Sequence, residues 1–227
     1  LQSSSRYDPE IPEGPFRHQV VEIIQAMQQY YSTGAGEARL FSLAGQLREH
    51  AYKIGTSKQL LFADICCAII RKQYENSTWF SLPRYTDLST EQWSAVIRKP
   101  SFLKELWPAQ HLLGLKNVYR GSSAVVQMPT SAGKTKATQI IIRSAFLAER
   151  TSLVVIVAPF RTLCHEIRET FLKVFRGENI FVDELSDVLR IDFLIDRFLE
   201  RKQILVVTPE KLNYILHHIP ELGAKIG

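Results

Sequence analysis

Apolar residues recur through the first hundred positions at the three-to-four spacing of helices buried on one side. Val20, Val21, Ile24, Met27 and Tyr31 make one such series, and Leu40, Phe41, Ala44, Leu47 and Ala51 make a second. Between them the stretch STGAGE, residues 32–37, is a loop whose glycines end one helix and release the next. A third helix is expected over residues 57–75 with Ser57 as its cap, and its run LLFADICCAII, residues 60–70, reads as a buried core helix. SLPRYTDLSTEQW, residues 81–93, reads as a connection. Within it Ser89 and Gln92 have the spacing of a capping box for a short helix carrying Trp93, Val96 and Ile97, which Pro100 stops. A further helix is expected over residues 102–113, closed by Gly114.

Beyond residue 115 the pattern changes to short β-branched runs separated by amphipathic segments. Strands are expected at residues 124–127, 153–157 and 204–207, each almost continuously apolar, as in a parallel sheet covered on both faces. Helices fit at residues 134–149, 162–175 and 186–201. The fold class is therefore α/β: a helical region over residues 1–100, then a parallel-sheet domain over 101–227.

A formal charge of +5 and a pI near 9.1 lean only weakly towards a polyanionic partner. Cys66, Cys67 and Cys164 are odd in number and lack paired C-x-x-C spacing, which fits a reduced, intracellular protein, cytoplasmic or, in a eukaryote, nuclear. No apolar run approaches the roughly 20 residues of a membrane helix, so no membrane partner is expected. The opening LQSSS lacks a basic or hydrophobic leader and reads as a processed or trimmed end. The sequon at Asn76 is a short pattern common by chance, and His217-His218 has no carboxylate or cysteine spaced to complete a metal site. Trp79, Phe80, Trp93 and Trp107 sit in amphipathic segments and read as core.

The chemistry gathers in AVVQMPTSAGKTKAT, residues 124–138. A phosphate-binding loop needs a strand end, a tight turn of converging backbone N–H groups, a lysine for the phosphates and a hydroxyl for magnesium. Following the strand expected at 124–127, Pro129, Thr130, Ser131, Ala132, Gly133, Lys134 and Thr135 supply all of these. Gly133 allows close backbone approach, Lys134 is the phosphate lysine and Thr135 the magnesium hydroxyl, although Met128 stands where the common pattern has its first glycine.

These residues resemble motif I of the superfamily 2 nucleic-acid helicases. VIVAPFRTLCHEI is similar to motif Ia and ILVVTPEKL to motif Ib, whose Thr-Pro-Glu-Lys is common in the Ski-like branch. LWPAQ is similar to the region upstream of motif I whose glutamine reads adenine through its amide, here Gln110. The resemblance implies the front of a first RecA-like domain in an ATP-dependent helicase or translocase. It implies ATP and Mg²⁺ at Gln110 and the 129–135 loop, with Lys134 and Thr135 serving catalysis. It also implies single-stranded or duplex nucleic acid, DNA or RNA, gripped by Pro159, Arg161, Thr208 and Lys211. Asp183-Glu184 resembles the acidic motif II but precedes motif Ib, so the pair is expected at a helix N-terminus and motif II beyond residue 227. The first hundred residues read from texture as a regulatory or partner-docking module. A P-loop ATPase that is not a nucleic-acid motor, and a scaffold with a relic loop, are the competing readings.

Overall fold

The computed structural model describes residues 14–129, 131–185, 201–218 and 226. The chain builds two compact units that interleave in sequence: residues up to 81 with 94–106 form one, and 82–93 with 107 onwards form the other.

In the first unit the helical periodicity is realised as α1 (Arg17–Thr33), α2 (Glu37–Ile54) and α3 (Ser57–Asn76). Their facing stripes bury Ile23, Ala26, Leu40, Ala44, Leu47 and Ile70 in one cluster. Gly34 closes α1 in the left-handed conformation at φ 77°, its N–H donating to the Tyr30 carbonyl. A Cβ there would lie 2.5 Å from the Trp79 ring, so both turn and packing require glycine.

The cap of α3 lies one residue before the expected Ser57. Thr56 and Gln59 form the reciprocal box: Thr56 N–H donates to Gln59 Oε1 at 2.9 Å, and Gln59 N–H to Thr56 Oγ1 at 3.4 Å. The apolar run of α3 also departs from the core-helix expectation. Ala63 and Ile70 are buried, but Leu61, Phe62, Ile65 and Ile69 are 59, 55, 43 and 50% exposed.

Two stretches expected otherwise change class because long-range packing overrides local signals. The SLPRY segment belongs to a helix, α4 (Thr78–Tyr85), despite Pro83 inside it. Phe80 N–H donates to the buried Ser77 hydroxyl at 3.2 Å, and Trp79 is buried. These offset the bond that proline cannot make. Ser77 and Thr78 are fully buried, which places the Asn76 sequon inside the fold. Conversely, the helix expected from residue 102 starts only at α6 (Pro108–Leu115). Before it, Leu106 N–H donates to the Asn76 carbonyl at 2.7 Å and Ser77 bridges Glu105, so this backbone is extended. Proline at the first helical position then opens α6. The short helix α5 (Thr90–Ile97) begins at the expected Ser89–Gln92 box.

The second unit holds a parallel sheet of β1 (Leu153–Val157), β2 (Ile180–Glu184) and β3 (Lys202–Val207) in the order β1-β3-β2. Helices α7 (Lys134–Leu147) and α8 (Arg161–Val174) contribute Ile142, Phe146 and Phe171, joined by Phe175 at the end of α8, to a core with Ile204 and Val206. A second cluster joins Leu205 and Val207 to Ile215 of α9 (Pro209–His218). Two of the expected strands are therefore present. The third is not: residues 122–129 carry no regular structure and Val125 is fully exposed. An apolar run becomes a strand only through ladder bonds to a neighbour, and no described segment pairs with this one.

IFVDE is itself a strand, β2, so Asp183 and Glu184 close a strand in register with Leu205 and Val206 instead of opening a helix. Val182 enters the core beside them, and the Gln203 amide donates to Asp183 Oδ2 at 3.0 Å. The helix expected over 186–201 lies outside the described residues, save Arg201.

Arg143 of α7 is buried at 3% exposure. Its Nη2 donates to Glu178 Oε1 at 2.8 Å and to the Val174 carbonyl at 3.2 Å, while its guanidinium carbon lies 4.3 Å from the Phe175 ring centre. Removing one partner of such a pair strands a charge in the core. Glu178→Ala is accordingly expected to lower stability by about 3 kcal/mol in thermal denaturation followed by circular dichroism, and Arg143→Met with Glu178→Met to recover most of it.

Candidate functional site

The 129–135 loop is organised by three backbone features. Ala132 N–H donates to the Pro129 carbonyl at 3.1 Å, which turns the chain. Gly133 follows at φ 80°, ψ 33°, and Ala137 N–H then returns to the Gly133 carbonyl at 3.0 Å, starting α7. No side chain caps this helix. Its first-turn N–H groups and positive dipole end therefore face the loop, an arrangement that favours an anion. Ser131, Lys134 and Thr135 are exposed there, and Thr130 lies outside the described residues. Lys134 folds back over the turn, its Nζ donating to the Met128 carbonyl at 3.2 Å. The position that breaks the glycine pattern thus supplies a backbone acceptor, for which its side chain is immaterial.

Gln110 is brought to the loop from α6 and is 2% exposed. Its Oε1 accepts from Trp107 N–H at 2.9 Å and its Nε2 donates to the Gly133 carbonyl at 3.4 Å. A Cβ on Gly133 would stand 2.7 Å from that Nε2, the movable end of a side chain, so it is the left-handed φ of 80° that calls for glycine here. The Gln110 carbonyl in turn accepts from the Tyr119 hydroxyl at 2.9 Å, and burial pushes that phenol's pKa upward. Both ends of the amide thus bond to the chain itself. Trp107, expected in the core, is 56% exposed beside it, whereas Trp79 and Trp93 are buried.

The second group of residues lies along the carboxyl edge of the sheet. Ala158 N–H donates to the Val207 carbonyl at 2.9 Å, tying the end of β1 to the end of β3. Pro159 and Arg161 leave from the first strand and Thr208 and Lys211 from the second, so the two segments are brought together. Pro159 and Arg161 are exposed, and α8 begins without a side-chain cap. Thr208 is buried, and Lys211 Nζ donates to the Leu185 carbonyl at 2.5 Å. A cavity of about 280 Å³ lined by Lys134, Thr135, Leu163, Glu166 and Ile167, among others, links the loop to α8.

Two residues at this edge escaped the sequence reading. Phe160, between Pro159 and Arg161, is 68% exposed although its apolar character reads as core. Glu210 occupies the first turn of α9, where its own backbone N–H and then the Thr208 hydroxyl hold its carboxyl below the ordinary range. Glutamate two residues after a threonine cap at a helix start is the signal that could have found it. Of the acidic pair, Asp183 is bonded to Gln203, and Glu184 Oε2 lies 3.4 Å from His165 Nδ1. Among the described residues no group of three or more His, Cys, Asp or Glu converges on a metal position.

The chain is 24% identical over 162 residues to Hachiman protein HamB of Bacillus cereus, an alignment that takes in 70% of this chain. It spans 14% of that relative's length. The family model for the DEAD/DEAH box helicases matches residues 109–224, from the start of α6 to beyond α9. With more than half of its length inside that match, and a helical region leading into a parallel α/β sheet, the chain belongs to the DEAD/DEAH box helicase family.

Proposed function

We propose that residues 101–227 are the front of the first RecA-like domain of an ATP-dependent helicase or translocase, and that residues 1–100 are a helical module that docks a protein partner. The observation that carries the reading is the turn at Gly133, where an uncapped helix start, a left-handed glycine and an exposed lysine and threonine meet. This donor set fits a magnesium-bound triphosphate. Backbone N–H groups of the loop and Lys134 would hold phosphate oxygens, and the Thr135 hydroxyl would hold the metal, which would supply neutralisation of phosphate charge. For Gln110 to read adenine, its amide must exchange its bonds to Trp107 and Gly133 for the base.

Nucleic acid, DNA or RNA, would lie along the carboxyl edge of the sheet. The exposed start of α8 with Arg161 suits a phosphodiester backbone gripped without reading sequence. Lys211 reaches a phosphate only by leaving the Leu185 carbonyl, and Glu210 opposes an anion at the start of α9. The Ski-like assignment rests on Thr208, Pro209, Glu210 and Lys211 themselves. No described helix is long and apolar enough to cross a membrane.

Saturating ATP and Mg²⁺ are expected to stabilise the protein thermally by about 2.7 kcal/mol at a hundredfold excess over Kd. Lys134→Ala should abolish that shift while melting normally without nucleotide; a variant that still responded to ATP would remove the assignment. Turnover by the 227 residues alone is expected to be far below that of intact helicases, as a phosphate-release assay would read. Glu210→Gln should tighten single-strand binding at low salt, by an amount that shrinks as salt is raised.

A further inference from the structure

We propose that the outer face of α3 docks an amphipathic helix of a partner protein whose apolar ridge is flanked at both ends by acidic residues. This deepens the partner-docking reading of the helical region and stands apart from the nucleotide reading. Lys58, Leu61, Phe62, Ile65, Ile69 and Lys72 recur at three-to-four spacing, so they share one face of a long helix. All six are exposed, and the four apolar ones lie open to solvent where a helix of this kind normally carries polar residues. The face continues sideways into an apolar groove of about 290 Å³ between α1 and α3, lined by Ile24, Met27, Cys66 and Ile69 among others. Ile69 belongs to both, so stripe and groove are one surface.

Charge selects the occupant. Lys58 and Lys72 bound the stripe about 21 Å apart along the axis, and the Lys58 ammonium lies 5.8 Å from the Phe62 ring centre. A helix laid on the stripe gains from carboxylates at both of its ends. A second copy is disfavoured, because two-fold antiparallel pairing about Ile65 sets Lys58 of each copy against Lys72 of the other. A lipid surface would leave the concave groove unfilled, and a phosphodiester would lie on hydrocarbon.

The test is fluorescence anisotropy of a labelled helical peptide of about 15 residues, with a Leu/Phe ridge at i, i+3, i+4, i+7 and glutamates at both ends, titrated with the full chain. Saturable binding is expected. It should weaken about tenfold with Ile65→Ser/Ile69→Ser and with Lys58→Glu/Lys72→Glu, and a lysine-ended peptide should restore binding to the second variant. Circular dichroism melts and ATP-induced stabilisation should match the unsubstituted chain, since all four positions are exposed and outside the 129–135 loop. Absence of saturable binding, or equal binding of both peptides, would overturn the proposal. So would a dimer in light scattering that Ile65→Ser dissolves, or flotation with phosphatidylglycerol vesicles. Binding that neither pair of substitutions alters would leave a docking module but remove it from α3.

Discussion

Strand β3 is enclosed on all sides, and the second unit is arranged to keep it so. Residues 203–207 are buried, with β1 and β2 hydrogen-bonded along the two edges and helical side chains on the two faces. Ile204 and Val206 look towards α7 and α8, Leu205 and Val207 towards α9. Burying side chains of this size contributes about 1.5–3 kcal/mol each, which is possible only if helices cover both faces of the sheet. Parallel strands oblige the chain to return after each one, so the returns place helix starts along a single edge. The juxtaposition of Pro159 and Arg161 with Thr208 and Lys211 is thus a by-product of how a parallel sheet hides its middle strand.

Where one residue's surroundings are local, the sequence was legible. The Ser89–Gln92 box, the Gly34 stop, the strands at Leu153 and Ile204 and the glycine turn before α7 all follow from spacing, capping chemistry or continuous apolar character. The failures share a different cause. Residues 124–127 have the composition of a strand, but a strand exists only with a partner. Residues 102–107 look helical until Leu106 and Glu105 find Asn76 and Ser77, some thirty residues upstream in the chain. Pro83 reads as a break until the burial of Trp79 is known. The candidate site shows the same division: residue types at the loop and the sheet edge could be read directly, whereas the bonds of Gln110 and Lys211 within the chain could not.

The helical unit carries the opposite imbalance from the sheet. Its buried cluster is built mostly from α1, α2 and one side of α3, and elsewhere in the unit buried polar groups are paired, as where Tyr30 meets Ser77 at 2.8 Å and Trp79 Nε1 donates to the Tyr31 carbonyl at 3.0 Å. Such pairing meets the cost of taking polar atoms out of water and so defines how the helices seat. Cohesion of the unit therefore does not call on Leu61, Phe62, Ile65 or Ile69, which leaves that side of α3 under no folding constraint to be apolar.

The bond from Lys134 to the Met128 carbonyl makes the loop its own competitor. One of the three ammonium donors is held by that carbonyl at 3.2 Å while Lys134 stays exposed, so an entering anion meets the other two directly and competes only for the third. On the proposed nucleotide reading, an extended polyanion would also engage the N–H groups of the turn and the start of α7, which a small, singly charged ion cannot span. On that same reading, the bond from Lys134 to Met128 is one that a bound polyanion would replace.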